Sequence, residues 1–243
     1  MTSFERRYAA GDHEGVWADM RRLGPVPDHL SEDCAAVAAE TMRRVHRHVA
    51  RLGNALEELR LVPIAGLDML KPPTPADHAE LEALAGEVGT LPFALDACLR
   101  HVGRVLFAGD CPAVDLTWAE GDQYDVASLY PDPLVLPDAE HLRYCWSEHR
   151  ERLRACPEPV EPGFLFEFAP DELHKANISG STHDILLPEA VADPVIRGVE
   201  GRPDITLVEY LRLSIAWGGM PGWSFRPDRA PAALAALRVR PDF

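Results

Sequence analysis

LEALAGEVGTLPFALDACLRHVGRVLFAGDCP, running from Leu81 to Pro112, carries the punctuation on which the fold turns. Leu81, Leu84, Ala85 and Val88 keep helical spacing until Gly89 stops the run. The Leu91-Pro92 step breaks the chain, and Leu95, Leu99 and Val102 then mark one side of a short second helix that ends at Gly103. RVLFAG follows as a strand. Just upstream, KPPTPADH supplies the start of the first helix: Thr74 is its cap, Pro75 its first helical residue, and Asp77 sits three places after the cap.

Working outward, the segment from Ser31 to Arg60 has the clearest periodicity. Ala35, Ala38, Met42, Val45, Val49, Leu52, Leu56 and Leu59 alternate three and four apart and share one stripe of a long helix. Ser31 is the expected cap, Glu32 and Asp33 suit the positive end of its dipole, and Gly53 is expected to weaken its middle by about 1 kcal/mol. Arg43, Arg47 and Arg51 form a basic face away from the stripe. The stripe can meet the rest of the chain or a second copy, so a homodimer through this helix is one expected arrangement. Downstream, DPLVLP is strand-like and a helix is expected from Asp138 to Ala155, carrying Leu142, Trp146 and Leu153. GFLFEFAP places Phe164, Phe166 and Phe168 on one face of a strand, and HDILLP is another strand. PDITLVEYLRLSIAWGG reads as a helix capped by Asp204 and ended by Gly218 and Gly219.

The chain of 243 residues fits one domain, 71–243, with an N-terminal helical extension over 1–70. No apolar run reaches the roughly 20 residues that cross a bilayer, and MTSFERRYAAGDHEG lacks the apolar centre of a signal peptide, so a cytoplasmic protein is expected. Cys34, Cys98, Cys111, Cys145 and Cys156 are odd in number and never C-x-x-C, which predicts buried free thiols. The formal net charge of −15 disfavours nucleic acid and favours a basic partner. That charge is concentrated: 14 acids face four arginines between Asp115 and Glu172, against 10 acids and nine arginines in the first 60 residues.

Chemistry-bearing types gather in ELHKANISGSTHDILLPEAVADP, from Glu172 to Pro194. His174, Lys175, Ser179, His183 and Asp184 would serve a small hydrolase if they met in one pocket. Asn177, Ser179 and Gly180 are equally the residues of a hairpin connection between the two strands that flank them. His174 and His183 lie nine apart across a turn, which does not match a zinc site, and Ser179 lacks the surroundings of a nucleophile elbow. His46 and His48, two apart on a helix, point to different faces. The glycines of WGGMPGW read as a helix end and turn, with Trp217 and Trp223 as packing residues.

The opening stretch resembles the N-terminal signature of the SUKH superfamily through Leu81, Glu82, Gly89, Leu91, Pro92, Leu95, Gly103, Val105 and Gly109. DPLVL, FAPDELHKANISG, ILLP and LVEYLRLSIAWGGMPGW look like the later strands and closing helix of a bacterial branch of it, so the resemblance covers roughly Pro75 to Trp223. The helix before residue 60 and the long acidic segment between Cys111 and Pro162 depart from the pattern. The resemblance implies an α+β fold, a mixed or antiparallel sheet flanked by helices, with no cofactor and no catalysis. Its bacterial members are similar to immunity proteins that neutralise toxins, often nucleases, and others are scaffolding or regulatory modules. A dense acidic surface suits an inhibitor that covers a basic toxin. The contact residues expected on that reading are Asp115, Glu120, Asp122 and Asp125 around an aromatic anchor, Trp118.

Overall fold

The computed structural model describes residues 3–118, 130–155 and 163–243. In chain order they form α1 (Phe4–Ala9), α2 (His13–Arg22), α3 (Asp28–Glu58), β1 (Val62–Pro63), β2 (Leu70–Lys71), α4 (Pro75–Val88), α5 (Phe93–His101), β3 (Arg104–Leu106), β4 (Gly109–Asp110), β5 (Val135–Leu136), α6 (Ala139–Ala155), β6 (Phe164–Pro170), β7 (Thr182–Leu187), α7 (Leu207–Ala216) and α8 (Ala232–Leu237). The class is α+β, with small antiparallel sheets flanked by helices. β1 pairs with β4, β2-β3-β5 form a three-stranded sheet, and β6-β7 form a hairpin. Among the described residues no helix is long and apolar enough to cross a membrane.

The Thr74 cap is as its local chemistry dictates: its hydroxyl accepts from the Asp77 N–H, and the Asp77 carboxylate accepts from the Thr74 N–H at 2.7 Å. Gly89 closes α4 with φ +99°, and Gly103 closes the turn after α5 with φ +73°. A Cβ at Gly103 would lie 2.4 Å from the Lys71 carbonyl oxygen, on the strand that pairs with β3. Gly103→Ala is therefore expected to destabilise the fold by about 1–3 kcal/mol in urea unfolding, from the left-handed strain together with that clash.

α3 begins three residues earlier than expected and ends two earlier, at Glu58. It starts at Asp28 directly after Pro27, which leaves Ser31 inside the first turns and not at the cap. Asp33 serves a neighbour, its two oxygens accepting from the Phe4 and Glu5 N–H groups at 2.7 and 2.9 Å and so closing the N-terminus of α1. Ala38, Met42, Val45, Val49, Leu52 and Leu56 are buried as the stripe requires, while Ala35 is exposed because Cys34 and Val37 take the inward positions. Gly53 has a packing reason, since a Cβ there would meet Leu70 at 3.0 Å. The stripe lies in the same hydrophobic core as α5 and α7, so residues before and after residue 70 share one interior. Arg43, Arg47 and Arg51 face solvent, with Arg43 bound to Glu40 of its own helix at 2.6 Å.

Phe164, Phe166 and Phe168 are all buried, and a register shift between Glu167 and Ala169 brings Ala169 inward as well, opposite His183. α6 covers this face and is tied to α4 by Glu87, which accepts from Arg143 at 2.8 Å, Arg150 at 3.0 Å and the Trp146 indole at 3.1 Å. Leu142 is buried but Leu153 is exposed, so the inward side of α6 fades toward its end. α7 is capped by Thr206, not Asp204: Glu209 accepts from the Thr206 N–H at 3.3 Å. The buried Asp193 adds a second acceptor for this end, taking the Val208 N–H at 3.0 Å while it pairs with Arg21, also at 3.0 Å. Trp223 is buried and donates to the Val114 carbonyl, and Trp217 lies under Arg238 at 3.9 Å. Both are packing residues.

Candidate functional site

The polar stretch is the connection of the β6-β7 hairpin, and its geometry begins with Asp171. That carboxylate accepts the main-chain N–H groups of His174, at 2.8 Å, and Ser181, which draws both ends of the loop together. A single 3₁₀ turn over His174–Ala176 follows, stopped by Asn177 in the left-handed region at φ +59°. In so tight a turn neighbouring side chains leave in different directions. His174 points outward, its Nδ1–H donating to the Ser181 carbonyl at 2.8 Å, whereas Lys175 enters the interior.

Inside, the Lys175 ammonium donates to Asp132 Oδ1 at 2.5 Å and to the Tyr210 hydroxyl at 3.3 Å. Asp132, between two prolines at φ +52°, is buried too, and His183 Nε2 stands 4.0 Å from the same carboxylate oxygen. Burial is the largest influence and would lift the Asp132 carboxyl, but Lys175 and His183 together outweigh it and the net direction is downward. Burial, again the largest influence, would lower Lys175, and Asp132 and Tyr210 together reverse this and hold the ammonium protonated. Burial, assisted by the Asp132 charge, pushes the Tyr210 phenol up to about 12. Lysine and tyrosine thus keep their protons at neutral pH, and Lys175 with Asp132 forms a buried ion pair, beside which both ring nitrogens of the buried His183 make no hydrogen bond.

The five residues of the hydrolase reading are therefore divided. Lys175 and His183 are interior, His174 and Ser179 are exposed, and Asp184 is half-buried and accepts from the Thr182 hydroxyl at 2.7 Å. Ser179, His183 and Asp184 do not form a triad. No three metal-ligating side chains cluster among the described residues. The cysteine reading holds where the structure describes it, since burial raises Cys98 to about 12 and Cys34 and Cys145 to about 11, and Cys111 is raised as well. Cys156 lies outside the described residues.

The outward half of the loop opens onto a groove of about 970 Å³. One wall is the β3-β5 edge with Leu67 and Trp118; the other is the end of β6 with His174, Ile178 and Ser179; α6 contributes Glu140, His141 and Tyr144. Trp118 is held by its main-chain N–H, which donates to Asp110 at 2.8 Å, and its half-buried side chain lines the groove. Tyr144 is 61% exposed, a large aromatic surface left open beside it. Asp138 closes the first turn of α6 by accepting the His141 N–H at 3.0 Å, and Lys71 bridges Asp138 and Glu140 at 2.9 and 3.2 Å. His141 is fixed by its bond to the Glu167 carbonyl at 2.8 Å. Of the five expected contact residues, Trp118 lines the groove, and Asp115 is exposed at the end of a short 3₁₀ turn with φ +53°. Glu120, Asp122 and Asp125 lie outside the described residues. His141 and Tyr144 were not singled out in the sequence, although an aromatic three residues beyond a histidine on the polar side of a helix was there to be seen.

The fold and groove define an α+β protein with an open, aromatic-lined concavity formed between two sheet edges. Compared with protein-family models, curated proteins and solved structures, the chain matches none of them.

Proposed function

We propose that this chain is a non-enzymatic protein-binding module that holds a segment of a basic protein in the groove between β5 and β6, as an immunity or antitoxin-type inhibitor holds its toxin. The observation that carries the reading is Trp118 and Tyr144 facing one concavity with Glu140 and Glu167 along it, on a chain of net charge −15. Aromatic anchors that can be fully desolvated supply most of the affinity of an interface, and surrounding charge sets partner choice and association rate. The SUKH resemblance of the Leu81–Pro112 stretch points the same way, and a basic nuclease toxin is the partner it favours.

The test begins with a salt-dependent pull-down from the native host and continues with titration of the purified basic partner. Trp118→Ala together with Tyr144→Ala is expected to weaken binding by more than 2 kcal/mol, about thirtyfold or more. Glu140→Gln with Glu167→Gln should chiefly slow association and flatten its salt dependence. Unchanged affinity in the aromatic double variant would overturn the assignment of the groove.

A further inference from the structure

The cluster around Lys175 borders a second, smaller concavity. A cavity of about 130 Å³ lies between the turn at 199–202, α7, the turn at 221–225 and the segment at 130–132, with Asp132 and Tyr210 in its wall. Its shape is fixed by main chain. The Gly222 N–H donates to the Pro131 carbonyl at 2.9 Å, and a Cβ at Gly222 would lie 2.0 Å from the Tyr130 carbonyl oxygen, so the absence of a side chain lets the 221–225 turn press onto the Asp132 segment.

Two groups of opposite charge line this cavity, and neither is bonded to the other. Glu172 is half-buried and forms no ion pair among the described residues. Burial first, and then the charges of Asp132 and Asp171, raise its carboxyl above the ordinary value, as for an anion held where a cation is wanting. Arg202 donates to the Ser224 hydroxyl at 2.9 Å and stacks 4.8 Å from Phe225, but it binds no carboxylate and its buried Nε has no acceptor. Of the other acids in the lining, Asp132 is committed to Lys175 through Oδ1, and Glu200 is exposed. The wall between these groups is apolar, with Val199, Leu213 and Phe225. The lining is therefore dipolar, with one unpaired carboxylate and one unpaired guanidinium. A simple anion would satisfy Arg202 and meet Glu172, a simple cation would do the reverse, and only a ligand that carries both charges satisfies the two together.

We infer that this cavity binds a small free amino acid, with its ammonium on Glu172 and its carboxylate on Arg202. A cavity of about 150 Å³ holds a molecule of about six non-hydrogen atoms, which is the size of alanine or β-alanine. Ammonium to carboxylate and carboxylate to guanidinium are both charge-assisted hydrogen bonds, and the planar guanidinium matches the carboxylate geometry. The cavity shares no residue with the groove between β5 and β6, so this site stands or falls separately from the protein-binding reading.

The experiment titrates the full chain by calorimetry with glycine, alanine and β-alanine, and with methylammonium and acetate as controls that carry one charge each. Saturable binding of at least one amino acid in the millimolar range or tighter is expected, with both controls at least tenfold weaker. Glu172→Gln and Arg202→Gln should each weaken it about tenfold, the loss of one modest charge-assisted hydrogen bond. Glu172→Gln keeps the side-chain shape and removes a charge that burial disfavours, so its unfolding midpoint in urea should not fall and it tests the site apart from the fold. Arg202→Gln is compared at an unchanged midpoint. No saturable binding of any of the three amino acids, binding of methylammonium or acetate as tight as that of the amino acid, or affinity indifferent to Glu172→Gln would each overturn the proposal.

Discussion

Lys175→Met is expected to cost about 3–5 kcal/mol, a large share of the stability of an ordinary domain. Methionine keeps most of the lysine volume, so the loss is electrostatic: Asp132 stays buried with its charge uncompensated and Tyr210 loses a partner. Asp132→Asn should cost a comparable amount by stranding the ammonium, and asparagine tolerates the left-handed backbone at this position. The double variant should cost clearly less than the sum, because a pair removed together leaves no buried charge. Urea unfolding of the four proteins measures the cycle; simple additivity would show that the pair does not act as one unit.

The same cluster sets pH limits. The folded Asp132 carboxyl titrates below its ordinary value of 3.8, so the stability it contributes is complete above that value and is lost as pH falls through the lower folded pKa. Asp193 and Glu172 run the other way: burial raises both, their charged forms oppose folding at neutral pH, and protonation relieves this as pH falls. On the alkaline side an unfolded tyrosine ionises near 10.0 while Tyr210 keeps its proton to about 12, so stability declines between those values. The raised Lys175 adds to that decline as it finally deprotonates.

Trp17→Ala is the second large effect, again about 3–5 kcal/mol, from lost burial and the cavity left behind. Trp17 is wholly buried, and its indole N–H donates to the Thr41 hydroxyl at 3.1 Å, which in turn donates to the Tyr8 hydroxyl at 2.8 Å. This chain of donors fastens α1 and α2 onto α3. Because α3 shares its core with α5 and α7, the whole unfolding transition should move, whether followed by far-UV signal or by amide exchange in the β6-β7 hairpin. A change confined to exchange in residues before 60, with the hairpin unaffected, would show that the first helices unfold by themselves.

What could be read in the sequence was local. The Thr74-Pro75-Asp77 cap, the period-two phenylalanines of β6 and the turn residue Asn177 each depend on groups within a few residues, and each is found in the structure, whereas Asp171, which gathers the ends of the 171–181 connection, was not singled out. The failures are tertiary. Asp33 looks like a residue for its own helix end, yet its acceptors are used by Phe4 and Glu5, and Thr206 displaces Asp204 because Glu209 and the distant Asp193 support that turn. α1 and α2 went unread because helices of six and ten residues are marginal alone and depend on α3 for burial. At the site, a row of polar letters cannot say that His174 faces the groove while Lys175 faces Asp132, 43 positions away. Trp118 could be singled out by type, whereas Tyr144 joins it along the groove only once α6 is laid beside the β5 edge.

The apolar stripe of α3 also bears on synthesis. Its packing partners on α5 and α7 are encoded later in the message, so the helix leaves the ribosome before they can cover their share of the stripe. At about 5–20 residues per second, α5 follows only after a few seconds. The nascent chain is thus expected to expose apolar surface over that interval, and slowing translation between the two helices should lower the soluble yield more than slowing it after α7.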